Sequence, residues 1–328
     1  MCPERTDEAV NTITGANNWD LTFRRQGNGV ILLRCRTCDA AAALPETVAG
    51  IPVTALGDRA LSPEGPEVEG ERIRITCGPN PGVPWDNRRL QSLTLPPTLD
   101  RVGHFALYHC RALQHLRLWD GVSFWGDGVL TNCPLARIEL EQAQGDGGAM
   151  AYFAGELSRE LDISVLRDST TVLRLIFPGY REIYEENSPA HHFDYTIQGA
   201  GYPYHHCFRQ RKLELIEYDR LWGKTKILET ETALRLAWMR LRYPEGLTDW
   251  ARRAYEDSLR SHAQAAAEWL IRSGDVSGLA FLLDRVKLDG TALSGALSLA
   301  RDHRLTGAAA LLLEQTRTRP PAADRFAL

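Results

Sequence analysis

A basic surplus is missing from this chain of 328 residues: Lys and Arg number 38 against 42 Asp and Glu, a formal charge of -4. A nucleic-acid footprint carries a strong basic excess, so that class of partner is not expected. No apolar run approaches the length that spans a bilayer, which argues against a membrane protein. The opening residues, MCPERTDEAVNTITG, lack a basic segment followed by an apolar one, so no export signal is expected. Seven cysteines, an odd number, lie scattered without the spacing of a disulfide framework. Reduced thiols in a cytoplasm are the economical reading. Lysine is scarce, occurring only at Lys212, Lys224, Lys226 and Lys287, and we attach no functional meaning to that coding preference. What remains is ordinary for a globular protein: 44% apolar and 24% charged residues, with length enough for two or three domains.

Catalytic signatures are also missing. There is no H-E-x-x-H, G-x-S-x-G or G-x-G-x-x-G. The tripeptide Gly223-Lys224-Thr225 resembles the end of a phosphate loop, but that motif needs a glycine where Tyr218 stands. Cys35-Arg-Thr-Cys38 has zinc-knuckle or redox spacing, yet no second C-x-x-C follows, and it reads as a turn with two incidental thiols. The carboxylates of REIYEEN, residues 181–187, read as a solvated face and not as an acid/base pair.

Repetition is what the sequence does have. LQSLTLPPTLDRVGHFALYHCRA aligns with LQHLRLWDGVSFWGDGVLTNCPL at a spacing of 23, matching Leu90 with Leu113, Leu93 with Leu116, Leu95 with Leu118, Gly103 with Gly126, Leu107 with Leu130 and Cys110 with Cys133. LARIEL starts a third copy with Leu135, Ile138 and Leu140. Upstream, Leu56, Gly57, Ala60 and Leu61 stand where the later copy has Val102, Gly103, Ala106 and Leu107, and IRIT supplies Ile73 and Ile75 as a further strand. A period in the twenties on L-x-x-L-x-L is the mark of a leucine-rich solenoid, because one short strand cannot bury its apolar side until neighbouring rungs share a core. The pattern L-P-x-x-L-x-x-V-G-x-x-A-L-x-x-C resembles the BspA-like leucine-rich repeats of bacteria across roughly residues 21–140, with VTALGDRAL (Val53–Leu61) as its first rung. SPEGPEVEGE and CGPNPGVPWDNR interrupt the period and are expected as outer loops. Cys110 and Cys133 fall on the inward side of adjacent rungs and are expected buried and unbridged, as small apolar residues.

Beyond Glu229 the pattern turns helical. RSGDVSGLAFLLD and RDHRLTGAAALLLE align at a spacing of 29, Gly278 with Gly307 and Leu282 with Leu311, and the segment resembles ankyrin-like helical hairpins. The expected fold class is therefore α+β: a leucine-rich repeat solenoid over 1–140, a capping α/β junction over 141–228, a helical repeat domain over 229–318 and a disordered tail over 319–328. The junction holds the richest stretch for chemistry, SPAHHFDYTIQGAGYPYHHCF. A hairpin turning at Gln198–Gly201 would bring His192, Asp194, His205 and Cys207 into a zinc-like set. Pro203 and the adjacent His-His spacing oppose it, so neither a metal nor a cofactor is expected.

The leading functional expectation is a non-enzymatic scaffold for protein–protein interaction, in the cytoplasm. The alternatives are a metal-dependent enzyme at the His/Cys-rich junction and a cell-surface adhesin, the latter implied by where BspA-like repeats are often found. With the leucines inward, alternation turns Arg72 and Arg74, Ser92 and Thr94, His115, Arg117 and Trp119, then Arg137 and Glu139 to the outside. Arg and Trp are enriched at binding hot spots. The expected binding residues are Arg72, Arg74, His115, Arg117, Trp119 and Arg137, and the expected partner is a protein with an acidic surface.

Overall fold

A computed structural model describes residues 17–77, 82–142, 148–187, 192–224 and 230–317, with backbone alone at 186, 187, 192 and 193. The expected tail at 319–328 lies outside the described residues, as does His191. The chain divides into two compact units, Met1–Leu221 and Trp222–Leu328.

The first unit is a β-solenoid of about five turns. In chain order its strands are β1 (Trp19–Gln26), β2 (Gly29–Arg36), β3 (Ala41–Ala43), β4 (Thr47–Val48), β5 (Ile51–Leu56), β6 (Glu71–Ile75), β7 (Ser92–Thr94), β8 (Arg101–Val102), β9 (His115–Trp119), β10 (Phe124–Trp125) and β11 (Arg137–Glu141). Helix α1 (Gly148–Glu156) follows, then β12 (Leu161–Arg167), β13 (Thr170–Phe177), β14 (Arg181–Asn187), β15 (His192–Gln198), α2 (Tyr202–His205), β16 (Phe208–Arg209), β17 (Lys212–Leu213) and α3 (Leu215–Arg220). Each rung sends one strand to each of two sheets. One sheet runs β10-β8-β5-β2-β1-β6, the other β13-β12-β11-β9-β7-β3.

The second sheet is parallel from β3 through β12, in register, so Leu93, Leu116, Ile138 and Ile163 stand side by side on its inner face, with Leu118, Leu140 and Val165 in the next row. The six expected spine residues, Leu93, Leu95, Leu116, Leu118, Ile138 and Leu140, are at most 2% exposed. A parallel strand with its apolar row buried this completely gains about 1.5–3 kcal/mol per leucine from removal of that surface from water. The turns are equally constrained. A Cβ on Gly103 would meet the carbonyl carbon of Gly57 at 2.6 Å and the amide nitrogen of Asp58 at 2.7 Å, which is why the G-x-x-A-L core keeps glycine there.

Three expectations change. Val53–Leu61 is not the first rung: β2 pairs in parallel with β5, and β3 with β7, so a rung precedes it. That rung has Ala42 where the later ones have leucine, which hides its period. The ladder also carries a parallel strand beyond Leu140, β12, with β13 returning antiparallel beside it. Finally, β6 is no rung. It pairs antiparallel with β1 at the far edge of the first sheet, and residues 78–81 of the second interrupting segment lie outside the described residues. Beyond β10 the fifth turn has a helix in place of a strand: Tyr152 and Phe153 of α1 pack on Trp125 at 4.9 and 5.1 Å between ring centroids, and the Tyr152 hydroxyl donates to the Gly126 carbonyl at 3.1 Å.

Cys110 and Cys133 are buried and unbridged, as are Cys35, Cys38 and Cys207, and Cys77 is exposed and likewise in no disulfide. The two rung thiols donate to carbonyls of the preceding rung, Cys110 to Leu61 and Cys133 to Leu107 at 3.5 and 3.0 Å. Burial pushes both thiols up, Cys133 to about 12, which keeps them protonated and unreactive in the fold.

The second unit is helical: α4 (Thr230–Arg242), α5 (Asp249–Ser261), α6 (Ala263–Arg272), α7 (Val276–Arg285), α8 (Gly290–Asp302) and α9 (Thr306–Arg317). Helix α6 packs on both α7 and α8, while α9 packs on both α8 and α7, so one helix pair repeats the arrangement of the other. Asp275 caps α7 by accepting from the Gly278 amide at 2.7 Å, and Asp289 caps α8 through Ala292 at 2.8 Å. None of the described helices is long and apolar enough to cross a membrane.

Candidate interaction surface

The outer face of the parallel ladder is built by the alternation that buries its leucines. Register places Ser92, His115, Arg137 and Asp162 in one row and Thr94, Arg117, Glu139 and Ser164 in the next, with Trp119 beside Glu141 in a third. Four of the six expected binding residues, His115, Arg117, Trp119 and Arg137, therefore share one surface.

The side chains on that surface are cross-linked between rungs. Ser92 Oγ lies 3.0 Å from His115 Nδ1, and His115 Nε2 lies 3.4 Å from Glu139, which also pairs with Arg137 at 3.3 Å. Arg117 pairs with Glu141 at 3.3 Å and sits 5.7 Å from the Trp119 ring centroid. Glu141 accepts a further bond from the Ser169 amide at 2.7 Å. Along the same sheet, Arg174 grips Asp162 through two bonds of 2.7 and 2.6 Å. Burial pushes the His115 imidazole below its ordinary range, with Glu139 opposing that shift, so this histidine is neutral near pH 7.

The face is thus balanced in charge, where the strand alternation alone suggests a basic one. The carboxylates came from Glu139, Glu141 and Asp162, of which only Glu139 stood in the sequence reading of this face. Height within the face still distinguishes the signs. Arg137 and Arg117 side chains are 50% and 32% exposed, above Glu139 and Glu141 at 18% and 9%. The outermost charge is basic and the carboxylates lie beneath.

Arg72 and Arg74 are elsewhere. They belong to β6 in the other sheet, where both guanidiniums close on Asp20: Arg72 at 2.8 Å through two nitrogens and Arg74 at 2.5 Å. Asp20 is 4% exposed, and the Arg72 hydrogen bonds hold its carboxyl at about 2, against the desolvation that would raise it. This pair is a clamp between β1 and β6. The same sheet carries an open groove of about 370 Å³ lined by Arg24, Ile31, Arg101, His104 and Phe124, with the Arg101 guanidinium 4.3 Å from the Phe124 ring centroid.

The histidine-rich stretch does not assemble the zinc-like set. Gln198–Gly201 is not a hairpin turn; it leads from β15 into α2, and β15 pairs with β14 so that Asp194 faces Glu185 and His192 faces Asn187. A Cβ on Gly201 would collide with the Pro178 carbonyl, so the glycines here serve a close backbone approach and not a reversal of the strand. His205 is 2% exposed, its two ring nitrogens 2.9 and 3.0 Å from the carbonyls of Ala154 and Pro178. Cys207 Sγ donates to the Tyr204 carbonyl at 2.8 Å. Among the described residues no group of three His, Cys, Asp or Glu side chains is arranged to hold a metal ion.

No known protein family and no curated protein matches the chain. Among solved structures it is similar to the crystal structure of a T. pallidum leucine-rich repeat protein, at 15% identity and a TM-score of 0.22, over 37% of this chain and 68% of that one. The solenoid architecture stands on the strand pairing and burial of the chain itself.

Proposed function

We propose that this protein is a non-enzymatic scaffold whose parallel ladder binds an acidic protein surface. Solenoids offer extended faces suited to such contacts, an inference from architecture that needs a site to make it specific. The site is the row of His115, Arg117, Trp119 and Arg137, and one observation carries it: the cations stand above the glutamates that pair with them. A partner carboxylate can reach Arg137 and Arg117 from solvent while Glu139 and Glu141 keep the guanidiniums in place. Trp119 adds a large rigid contact beside Arg117. Arg72 and Arg74 are left out of this surface, since their hydrogen bonds go to Asp20.

In the same reading, the repeats of residues 1–140 are BspA-like and of bacterial type, the fifth turn and the segment after it up to Leu221 form their capping junction, and 229–318 are ankyrin-like hairpins. The unbridged cysteines support a cytoplasmic setting.

The test is capture from native-cell extract with immobilised full-length protein. Arg117→Gln combined with Trp119→Ala is expected to reduce recovery of the main partner at least tenfold while the thermal melt stays within a few degrees. Undiminished capture by the folded double variant would remove the ladder from consideration.

A further inference from the structure

Strands β14 and β15 pair only with each other, and their outer edges carry no strand among the described residues. Register sets Tyr184 opposite Tyr195 and Glu182 opposite Ile197 on one face, and Ile183 opposite Thr196 and Glu185 opposite Asp194 on the other. Both faces meet solvent: of the described side chains in Arg181–Glu185 and Asp194–Gln198, all but Ile183 are exposed. Tyr184 is 70%, Tyr195 47% and Ile197 37% exposed, so one small face holds three of the six exposed large apolar side chains among the described residues. The tyrosine ring centroids are 4.9 Å apart, and the Tyr184 hydroxyl donates to Glu182 at 3.0 Å.

A lone two-stranded hairpin is marginal in water, and its open edges are templates for another strand. This one is nonetheless firmly rooted. The Tyr180 amide donates to the Ser158 carbonyl at 2.7 Å, the Tyr180 ring packs on Tyr202 and His205 at 5.3 and 5.1 Å, and His205 ties Pro178 to Ala154. A rigid root lowers the ordering cost that a flexible arm would bring to binding.

Charge selects the occupant. Glu182, Glu185 and Asp194 are exposed carboxylates, Glu186 continues the run in sequence, and Arg181 at the root is the one cation among the described side chains of the arm. A second copy would bring the same excess of carboxylates to the arm, so charge does not favour self-pairing. We propose that the β14–β15 arm is a docking edge for an extended basic segment of a partner protein. That segment adds as a third strand and sets its arginines on the face of Tyr184, Tyr195 and Glu182, while Glu185 and Asp194 on the opposite face add to the negative charge that attracts it. Main-chain bonds along the open edge supply affinity, and alternate side chains supply specificity through cation–π and charge-assisted contacts. The proposal shares the scaffold reading but uses a different surface and a partner of opposite charge.

The experiment measures fluorescence anisotropy of labelled eight-residue peptides titrated with the full chain. The probes are alternating Arg and Thr, alternating Glu and Thr, and the arginine peptide with two threonines replaced by proline. The arginine peptide is expected to bind at least tenfold more tightly than either control. Tyr184→Ser with Tyr195→Ser should weaken it at least tenfold, and separately Glu182→Gln at least threefold, without moving the melt. The ladder variant Arg117→Gln/Trp119→Ala should leave it unchanged, so this proposal and the ladder reading fail separately. Absence of binding by the arginine peptide, equal binding by the proline or glutamate peptide, or affinity indifferent to both arm variants would overturn the proposal. So would a native dimer that becomes monomeric in the tyrosine double variant, because the arm would then be occupied by a second copy.

Discussion

The ladder strands β9 and β11 and the arm strands β14 and β15 use the same vocabulary: alternating apolar and charged residues, an aromatic on an outer face, an arginine, several glutamates. Their surroundings differ. Leu116 on β9 has Leu93 on one side and Ile138 on the other, with no exposure to solvent, whereas Ile183 of the arm has one cross-strand neighbour, Thr196. Arg117 finds Glu141 one rung away, while the Glu185–Asp194 pair of the arm sets two carboxylates against each other. Alternation decides that a strand forms. Whether it becomes core or contact surface depends on what lies on either side of it, and that information is not local.

The comparison can be broken first at Leu116. Leu116→Ala should destabilise the solenoid by about 2–5 kcal/mol, as for other buried leucines, whereas Tyr184→Ser on the arm should leave the denaturant midpoint where it is. A midpoint shift equal in both variants would show that the arm belongs to the cooperative core. A smaller effect is expected at the turns. Gly103→Ala presses a methyl onto the backbone of the preceding rung and should cost about 1–3 kcal/mol, since the atoms it meets cannot rotate away. A wild-type melt for that variant would contradict the close stacking of the turns.

The smallest effect concerns Asp20 and its pH dependence. Its carboxyl is held at about 2 in the fold against an ordinary 3.8 in the unfolded chain, chiefly by Arg72 and then Arg74. A depressed carboxyl stabilises the fold fully above pH 4 and loses that contribution as the pH falls from about 4 to about 2. Both arginines are more than half exposed, so the contribution is on the order of 1–2 kcal/mol after screening. Urea melts of wild type and Asp20→Asn should differ above pH 4 and converge towards pH 2. A constant gap across that range would show that the β1–β6 clamp acts through packing and not through charge.

The legible part of this molecule was the part written in local period. Leu93, Leu116 and Ile138 announce their inward row because each rung repeats the same demand 22 or 23 residues later. Arg72 and Arg74 misled because IRIT alternates as a rung strand does, and the residue that claims both arginines, Asp20, lies 52 and 54 positions away. The glycines of Gln198–Gly201 were legible as glycines but not for their purpose, since the Pro178 backbone that crowds Gly201 comes from the connection between β13 and β14. The glutamates under Arg117 and Arg137 were visible in sequence, but which of them lies lower in the face depends on packing from β12 and β13.

The direction of the ladder's hydrogen bonds has a mechanical meaning. Strands lie across the solenoid, so the bonds from β7 to β9 to β11 to β12 run along its axis. Tension applied along that axis loads the rungs in series, like the teeth of a zipper, and the weakest yields before the others share the force. Each rung that opens pays out about 23 residues, roughly 80 Å of extended chain. No disulfide ties the buried thiols of one rung to those of the next. The solenoid is therefore built to resist compression by packing and to yield to stretching one turn at a time.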